Sequence, residues 1–248
     1  MSKVSVEPRG EVGVVRLTHG VTNPIGPELV AELSAAFRTA RSDFGGLVLA
    51  GGPKFFSNGF DLPNLLKLHR KGLSDFYHGF GDLLMEIYTL PLPTVAAVQG
   101  HAVAGGTILM LTADYRVAAS GRTLVGLNEI KLGVPVPYAA NLMLRQLVGD
   151  RLATEIIYRG DLVEAASLEG TGLIDGVAPR EEVEGRAVEM VSQLASAHRA
   201  SFAELKESRV EEVRDRYKKN GWARDEGFLD IWFDPKSQEG LREAAKTF

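Results

Sequence analysis

The chain contains no cysteine. That excludes disulfides, thiolate metal sites and a cysteine nucleophile, and it suits a reducing compartment, so a cytoplasmic location is the expectation. It also lacks a surplus of charge of either sign. Lys and Arg number 28 against 32 Asp and Glu, a formal net charge of −4, which gives no global electrostatic case for nucleic acid or an anionic membrane. The N-terminal stretch has neither an apolar signal core nor an Arg-rich amphipathic segment, and the tail Lys246-Thr247-Phe248 is not a peroxisomal or retention signal. Residues 87–113 carry no Asp, Glu, Lys or Arg, but Pro91, Pro93, Gly100, Gly105 and Gly106 divide them into a helix end, a strand, a turn and a second helix rather than a membrane span. No fixed-period repeat or low-complexity run is present. Several chemistries are missing too. There is no G-x-S-x-G elbow, no HExxH, no G-x-G-x-x-G after a strand, and no metal-ligand spacing among His19, His69, His78, His101 and His198.

What the chain has is an ordinary globular balance, 45% hydrophobic and 24% charged, with glycine over-represented at 27 of 248 residues. Strands are predicted at 12–17, 47–50, 94–98, 115–118 and 124–126, with a short one at 175–178. Helices are predicted at 27–41, from about 61, at 75–88 with Ser74 as cap, and at 107–111. Beyond residue 139 helices dominate, at 139–147, 153–158, 165–168, 181–197 and 202–218, with two near the end. This order implies a mixed α/β core with parallel strands, followed by a helical C-terminal part.

Two glycine-bearing loops stand out. Gly100 to Thr107 reads GHAVAGGT, the spacing of a phosphate-binding loop, but Gly106 occupies the lysine position and no side-chain cation is supplied. What remains is a turn with free backbone amides at a helix start. Phe55 to Leu62, FFSNGFDL, offers a second such turn. The pair reads either as two ordinary strand-to-helix turns or as two amides converging on a ligand oxygen, an oxyanion hole.

Taken in order, FFSNGFDL, PLPTVAAVQGHAVAGG, TADYRVAA and VGLNEIKLGVPVP resemble the crotonase (enoyl-CoA hydratase/isomerase) superfamily, and the likeness extends to VTNPIGPELVAEL near the start and GFLDIWFDPKSQEGLREAAK near the end. The resemblance implies a crotonase (ClpP-like) α/β fold: a ββα spiral with two roughly perpendicular sheets over 1–190, then a helical trimerisation or lid region over 191–248. It implies that the amides of Phe60 and Gly105 hold the thioester oxygen of an acyl-CoA. The family's usual first glycine of that triplet is Ala104 here. Hydratases of the family carry two glutamates; at the matching positions this chain has Ile108 and Glu129. A lone base suffices for isomerisation, so the single-glutamate pattern is most similar to Δ3,Δ2-enoyl-CoA isomerases, with Glu129 carrying the proton from C2 to C4. Hydration, another enolate reaction of an acyl-CoA, or a silent acyl-CoA-binding member are the alternatives.

The pocket wall is expected to include Ile108, Leu109 and Phe60, and an apolar pocket would raise the Glu129 pKa. CoA contacts are expected from Val21, Thr22, Asn23, Ser57, Asn58, Gly59, Asp61 and Leu62, with Lys54 and Lys246 as candidates for its phosphates. Asp61 is also a helix cap, and Asn128 either orients Glu129 or closes a turn. His101 is a candidate for the pocket wall, whereas Tyr138 and Phe80 read chiefly as core. No metal or redox cofactor is implied; the CoA thioester is substrate, and a homotrimer or homohexamer is expected.

Overall fold

The computed structural model describes residues 2–246; Thr247 and Phe248, the end of the tail read above, lie outside the described residues. In chain order the elements are β1 (Val4–Arg9), β2 (Val12–Leu17), α1 (Pro27–Asp43), β3 (Gly46–Ala50), β4 (Phe55–Ser57), α2 (Leu62–Leu65), α3 (Arg70–Tyr88), β5 (Thr94–Val98), β6 (His101–Val103), α4 (Gly105–Leu111), β7 (Tyr115–Ala119) and β8 (Leu124–Gly126). A 3-10 turn (Glu129–Leu132) leads to α5 (Tyr138–Arg159), β9 (Val163–Glu164), β10 (Gly176–Ala178), α6 (Val183–Ala195), α7 (Arg199–Trp232) and α8 (Pro235–Ala245).

Two sheets form. The larger has the order β1-β2-β3-β5-β7-β10 and the smaller β4-β6-β8-β9. Pairing is parallel except at one edge of each sheet, where β1 and β9 run antiparallel to their neighbours. The central strands β3 and β5 of the large sheet are buried at every position and apolar but for Thr94, as strands covered on both faces tend to be. One face packs on α6 through Val183, Ala187 and Val191, which meet Val14, Val48, Val95 and Val117. The other face joins the main core with α1, α3, α5 and α7.

Several expected boundaries shift. Helix α3 starts at Arg70, with the His69 side chain accepting from the Gly72 amide at 3.0 Å; Ser74 lies inside the helix and pairs with His78 instead of capping. The stretches at 139–147 and 153–158 are two limbs of α5, joined at Gly149, whose φ of 75° and ψ of 164° are not helical. The helix expected at 202–218 continues to Trp232. Gly221 does not end it, because a methyl group there would lie 2.9 Å from the Tyr217 ring, so bare backbone is what lets that ring lie down. The segments around Phe55 and His101, read as loop and turn, contain β4 and β6. The boundary drawn at 190 falls within α6. Among the described residues no helix is long and apolar enough to cross a membrane.

Candidate active site

The small sheet builds the site. β4, β6 and β8 are adjacent and parallel, so their C-terminal ends lie along one edge, the place where open parallel sheets present ligands. The chain leaving β4 reaches Phe60, the chain leaving β6 reaches Gly105, and the chain leaving β8 reaches Glu129. Three segments far apart in sequence are thereby delivered to one cavity of about 320 Å³, lined by Phe60, Gly105 and Glu129 together with Asn58, Leu62, His101 and Asn128.

The turn after β4 is tied down on both sides. Asn23 is buried with φ 46°; its side chain accepts from the His19 amide at 2.8 Å and donates to the Phe56 carbonyl at 3.1 Å. The Ser57 hydroxyl donates to the Asn23 carbonyl at 2.8 Å and accepts from the Gly59 amide at 3.1 Å. Ile25 N–H donates to Gly59 O, and Asp61 N–H donates to Ile25 O, at 2.8 and 2.9 Å. This bridge leaves the Phe60 amide facing away from Ile25. The Phe60 ring is fixed edge-on to Phe76 and Phe80, each 5.1 Å away. Asp61 then caps α2 by accepting from the Asn64 backbone and side-chain amides. At the second turn Ala104 sits at φ 48°, and Gly105 opens α4, where an amide has no carbonyl four residues back to bind. Neither the Phe60 nor the Gly105 amide donates within the chain among the described residues.

Glu129 is the only acidic side chain on the cavity wall among the described residues. It is 6% exposed, and its Oε2 has no hydrogen-bond partner. Burial pushes its carboxyl up from 4.5 to about 8, opposed only by its own backbone amide and by no nearby cation. The site thus offers two amides suited to a developing negative charge and one carboxyl whose proton is held near neutral pH.

The family model described as enoyl-CoA hydratase/isomerase matches residues 7–246. The chain belongs to this family. It is 36% identical over 198 residues to a Thermus thermophilus protein that carries the name enoyl-CoA hydratase, covering 77% of this chain and 76% of that protein. It is 29% identical over 197 residues to human mitochondrial enoyl-CoA delta isomerase 1, covering 77% of this chain and 65% of that protein. The crystal structure of human mitochondrial delta3-delta2-enoyl-CoA isomerase superposes with a TM-score of 0.94 at 25% identity, over 99% of this chain and 97% of that one. The fold is therefore the crotonase fold, and the names of the relatives divide between hydratase and isomerase.

Of the residues singled out in the sequence, Phe60, Gly105, Glu129, Asn58 and Leu62 line the cavity. Other expected contacts do not line it. Ile108 and Leu109 are buried in the core below it. Val21 is 63% exposed. Thr22, Asn23, Ser57, Gly59 and Asp61 act as the frame of the turn rather than as wall. Lys54 is exposed, and Lys246 pairs with Glu243. His101 does line the cavity; its Nδ1 accepts from the Leu124 amide at 2.9 Å. Burial lowers its pKa, helped by the positive charges of Arg180, Arg122 and Lys54. Asn128 lines the cavity with its Oδ1 unpaired. Phe80 is core, and the Tyr138 ring packs under Arg224 at 5.8 Å.

Within 191–248, expected as a trimerisation or lid region, sequence patterns did not single out the residues that reach the cavity. Phe228 and Trp232 of α7 and Leu241 and Ala244 of α8 close the cavity. Sequence reasoning also missed Arg122 and Arg180, which have no motif and join Lys54 only through the fold.

Proposed function

We propose that the protein is an enoyl-CoA isomerase that converts 3-enoyl-CoA to trans-2-enoyl-CoA. The observation that carries this reading is the solitary buried carboxyl of Glu129 on a wall that is otherwise non-acidic among the described residues; Ile108, which the motif order sets at the family's second carboxylate position, is apolar and lies off that wall. Glu129 removes a proton from C2 of the thioester. The C2–H electron pair moves into the C1–C2 bond and displaces the carbonyl π pair onto the thioester oxygen, giving a dienolate; on reprotonation the oxygen pair re-forms the carbonyl, the C1–C2 pair moves to C2–C3, and the C3–C4 pair takes up the proton at C4. In between, negative charge sits on the thioester oxygen, where the Phe60 and Gly105 amides receive it. Each such donor typically supplies a factor of about 100 or more in rate. Glu129 returns the proton at C4. Proton and double bond change places without net oxidation, so the reading names no metal and no redox partner. Lys54, Arg122 and Arg180, exposed around His101 at the cavity wall, support a seat for the CoA phosphates. Assembly as a trimer or a hexamer is part of the same reading, and light scattering on the purified protein tests it.

Purified protein supplied separately with 3-enoyl-CoA and trans-2-enoyl-CoA decides the reaction. Isomerisation of the first with negligible water addition to the second is the expected result. Efficient hydration of the second assigns the hydratase reaction instead, and thioester binding without turnover of either marks a silent member.

A further inference from the structure

We propose that Ser237, on α8, is a positioning residue that holds Glu129 in place through a single peptide plane; this rests on the reading of Glu129 as the base. Ser237 is buried, and its hydroxyl donates to the Gly133 carbonyl at 2.7 Å. The same peptide unit carries the Val134 N–H, which donates to the Glu129 carbonyl at 3.1 Å. The hydroxyl and the backbone of the base are therefore linked in a chain, O–H to carbonyl and amide N–H to carbonyl. A donor on the oxygen of an amide polarises it and strengthens the bond made by its N–H.

Three further observations give the link weight. A serine in the first turn of a helix ordinarily serves its own helix terminus. Here Asp234 already does so, accepting from the Lys236 amide at 3.0 Å, and the Ser237 hydroxyl leaves its helix for the 3-10 turn. The seat is close-fitting. A methyl group on Gly240 would lie 3.0 Å from the Leu132 carbonyl oxygen, and one on Gly133, at φ 79°, would lie 3.4 Å from Ser237 Cα. Finally, Glu129 Oε2 has no hydrogen-bond partner, and the carboxyl leans only on the residue's own backbone amide, so where it stands depends on how that backbone is held. α8 also supplies Leu241 and Ala244 to the roof, which makes one helix responsible for both the cavity ceiling and the placement of the base.

The charged and titratable groups around this link are few. On the 3-10 turn Lys131 pairs with Asp161 at 2.6 Å. On α8 Lys236, Glu239, Arg242 and Glu243 are exposed. On α3 the buried Tyr77 hydroxyl is held protonated chiefly by burial, with Glu129 a minor contributor. A change in Glu129 titration on altering Ser237 thus reports placement rather than a lost charge.

The test compares the full chain with S237A, S237T and L241A. For S237A, kcat on 3-enoyl-CoA is expected to fall about 10-fold with KM nearly constant, since misplacing a reacting group costs rate rather than binding. The Glu129 carboxyl midpoint, followed by carbon NMR in glutamate-labelled protein, should also move. S237T, which keeps the hydroxyl, should recover much of the rate. L241A alters the roof without touching the link, so it should change KM with acyl length. S237A matching wild type in both kcat and midpoint overturns the proposal, as does S237T performing no better than S237A. Thermal melts show whether a lost rate is merely lost fold; a single hydrogen bond of about 1 kcal/mol should leave S237A folded at assay temperature. Should wild type fail to isomerise, the isomerase reading falls, while the NMR comparison still decides whether Ser237 holds Glu129.

Discussion

Gly59 and Gly105 meet across the two turns of the site: a methyl group on Gly59 would lie 3.1 Å from the Gly105 nitrogen, and one on Gly105 would lie 3.2 Å from Gly59 Cα. The two proposed amide donors are thus spaced by glycine-to-glycine contact. Next to them the fit is tighter still, since a methyl group on Gly106 would lie 2.2 Å from the Ser57 carbonyl oxygen, a backbone atom that cannot swing away. Gly106→Ala is therefore expected to separate the turns. It should lower stability by about 1–3 kcal/mol and cut kcat by about 100-fold, as loss of an oxyanion donor does. Denaturant titration and steady-state rates check both.

Replacing Glu129 should have opposite effects on activity and stability. Its carboxyl titrates at about 8 in the folded protein against 4.5 for the ordinary group. Between those values the unfolded chain releases a proton that the folded chain keeps, so this residue makes stability fall as pH rises through the window, by an amount on the order of a few kcal/mol. E129Q removes the effect. It should abolish isomerisation, melt above wild type at pH 8–9 and converge with it near pH 4. Wild-type kcat/KM should rise with pH toward a midpoint near 8 as the base ionises. A flat profile, or a variant that melts no higher than wild type at pH 9, removes the buried carboxyl from this role.

Ala104 sits at φ 48° and ψ −118°, a conformation that L side chains rarely adopt, and strain of this kind stores about 1–3 kcal/mol. A104G relieves it but adds freedom to the unfolded chain, which offsets part of the gain. Activity should be retained and stability unchanged or raised by up to about 1 kcal/mol, read from urea midpoints. A clear loss of stability shows that the alanine methyl packs to advantage.

Arg122 and Arg180 depress the His101 pKa from the solvent side, after burial. Replacing both by alanine should raise KM for CoA thioesters several-fold at low salt, leave kcat nearly unchanged, and lose most of the difference near 0.5 M salt, where the screening length falls to about 4 Å. An unaltered KM at low salt places the CoA phosphates elsewhere.

Much of this was legible in the sequence, for reasons that differ by element. The apolar runs of β2, β3 and β5 are long enough to be read by eye. β4 and β6 are three residues each, too short for any periodicity, so the sheet that carries the site had to come from pairing between distant segments. Glu129, Phe60 and Gly105 were accessible through motif order. Ile108 was misplaced because motif spacing gives a position along α4 but not which way its face turns. Which residues of 191–248 line the cavity was illegible, since Trp232 and Leu241 reach it by the docking of α7 and α8, for which no local pattern codes. In α7 the helix read to 218 runs on to Trp232, because Gly221 accommodates the Tyr217 ring rather than stopping it.

Because β4, β6 and β8 each lead into one of the segments that meet at the cavity, the proposed reaction is modular at a single sheet edge. The ladder fixes the spacing of the three termini while leaving the residue at each free to vary. A change at one terminus can then alter the chemistry offered there without disturbing the spacing of the other two, which is how one scaffold can be respecialised by few changes.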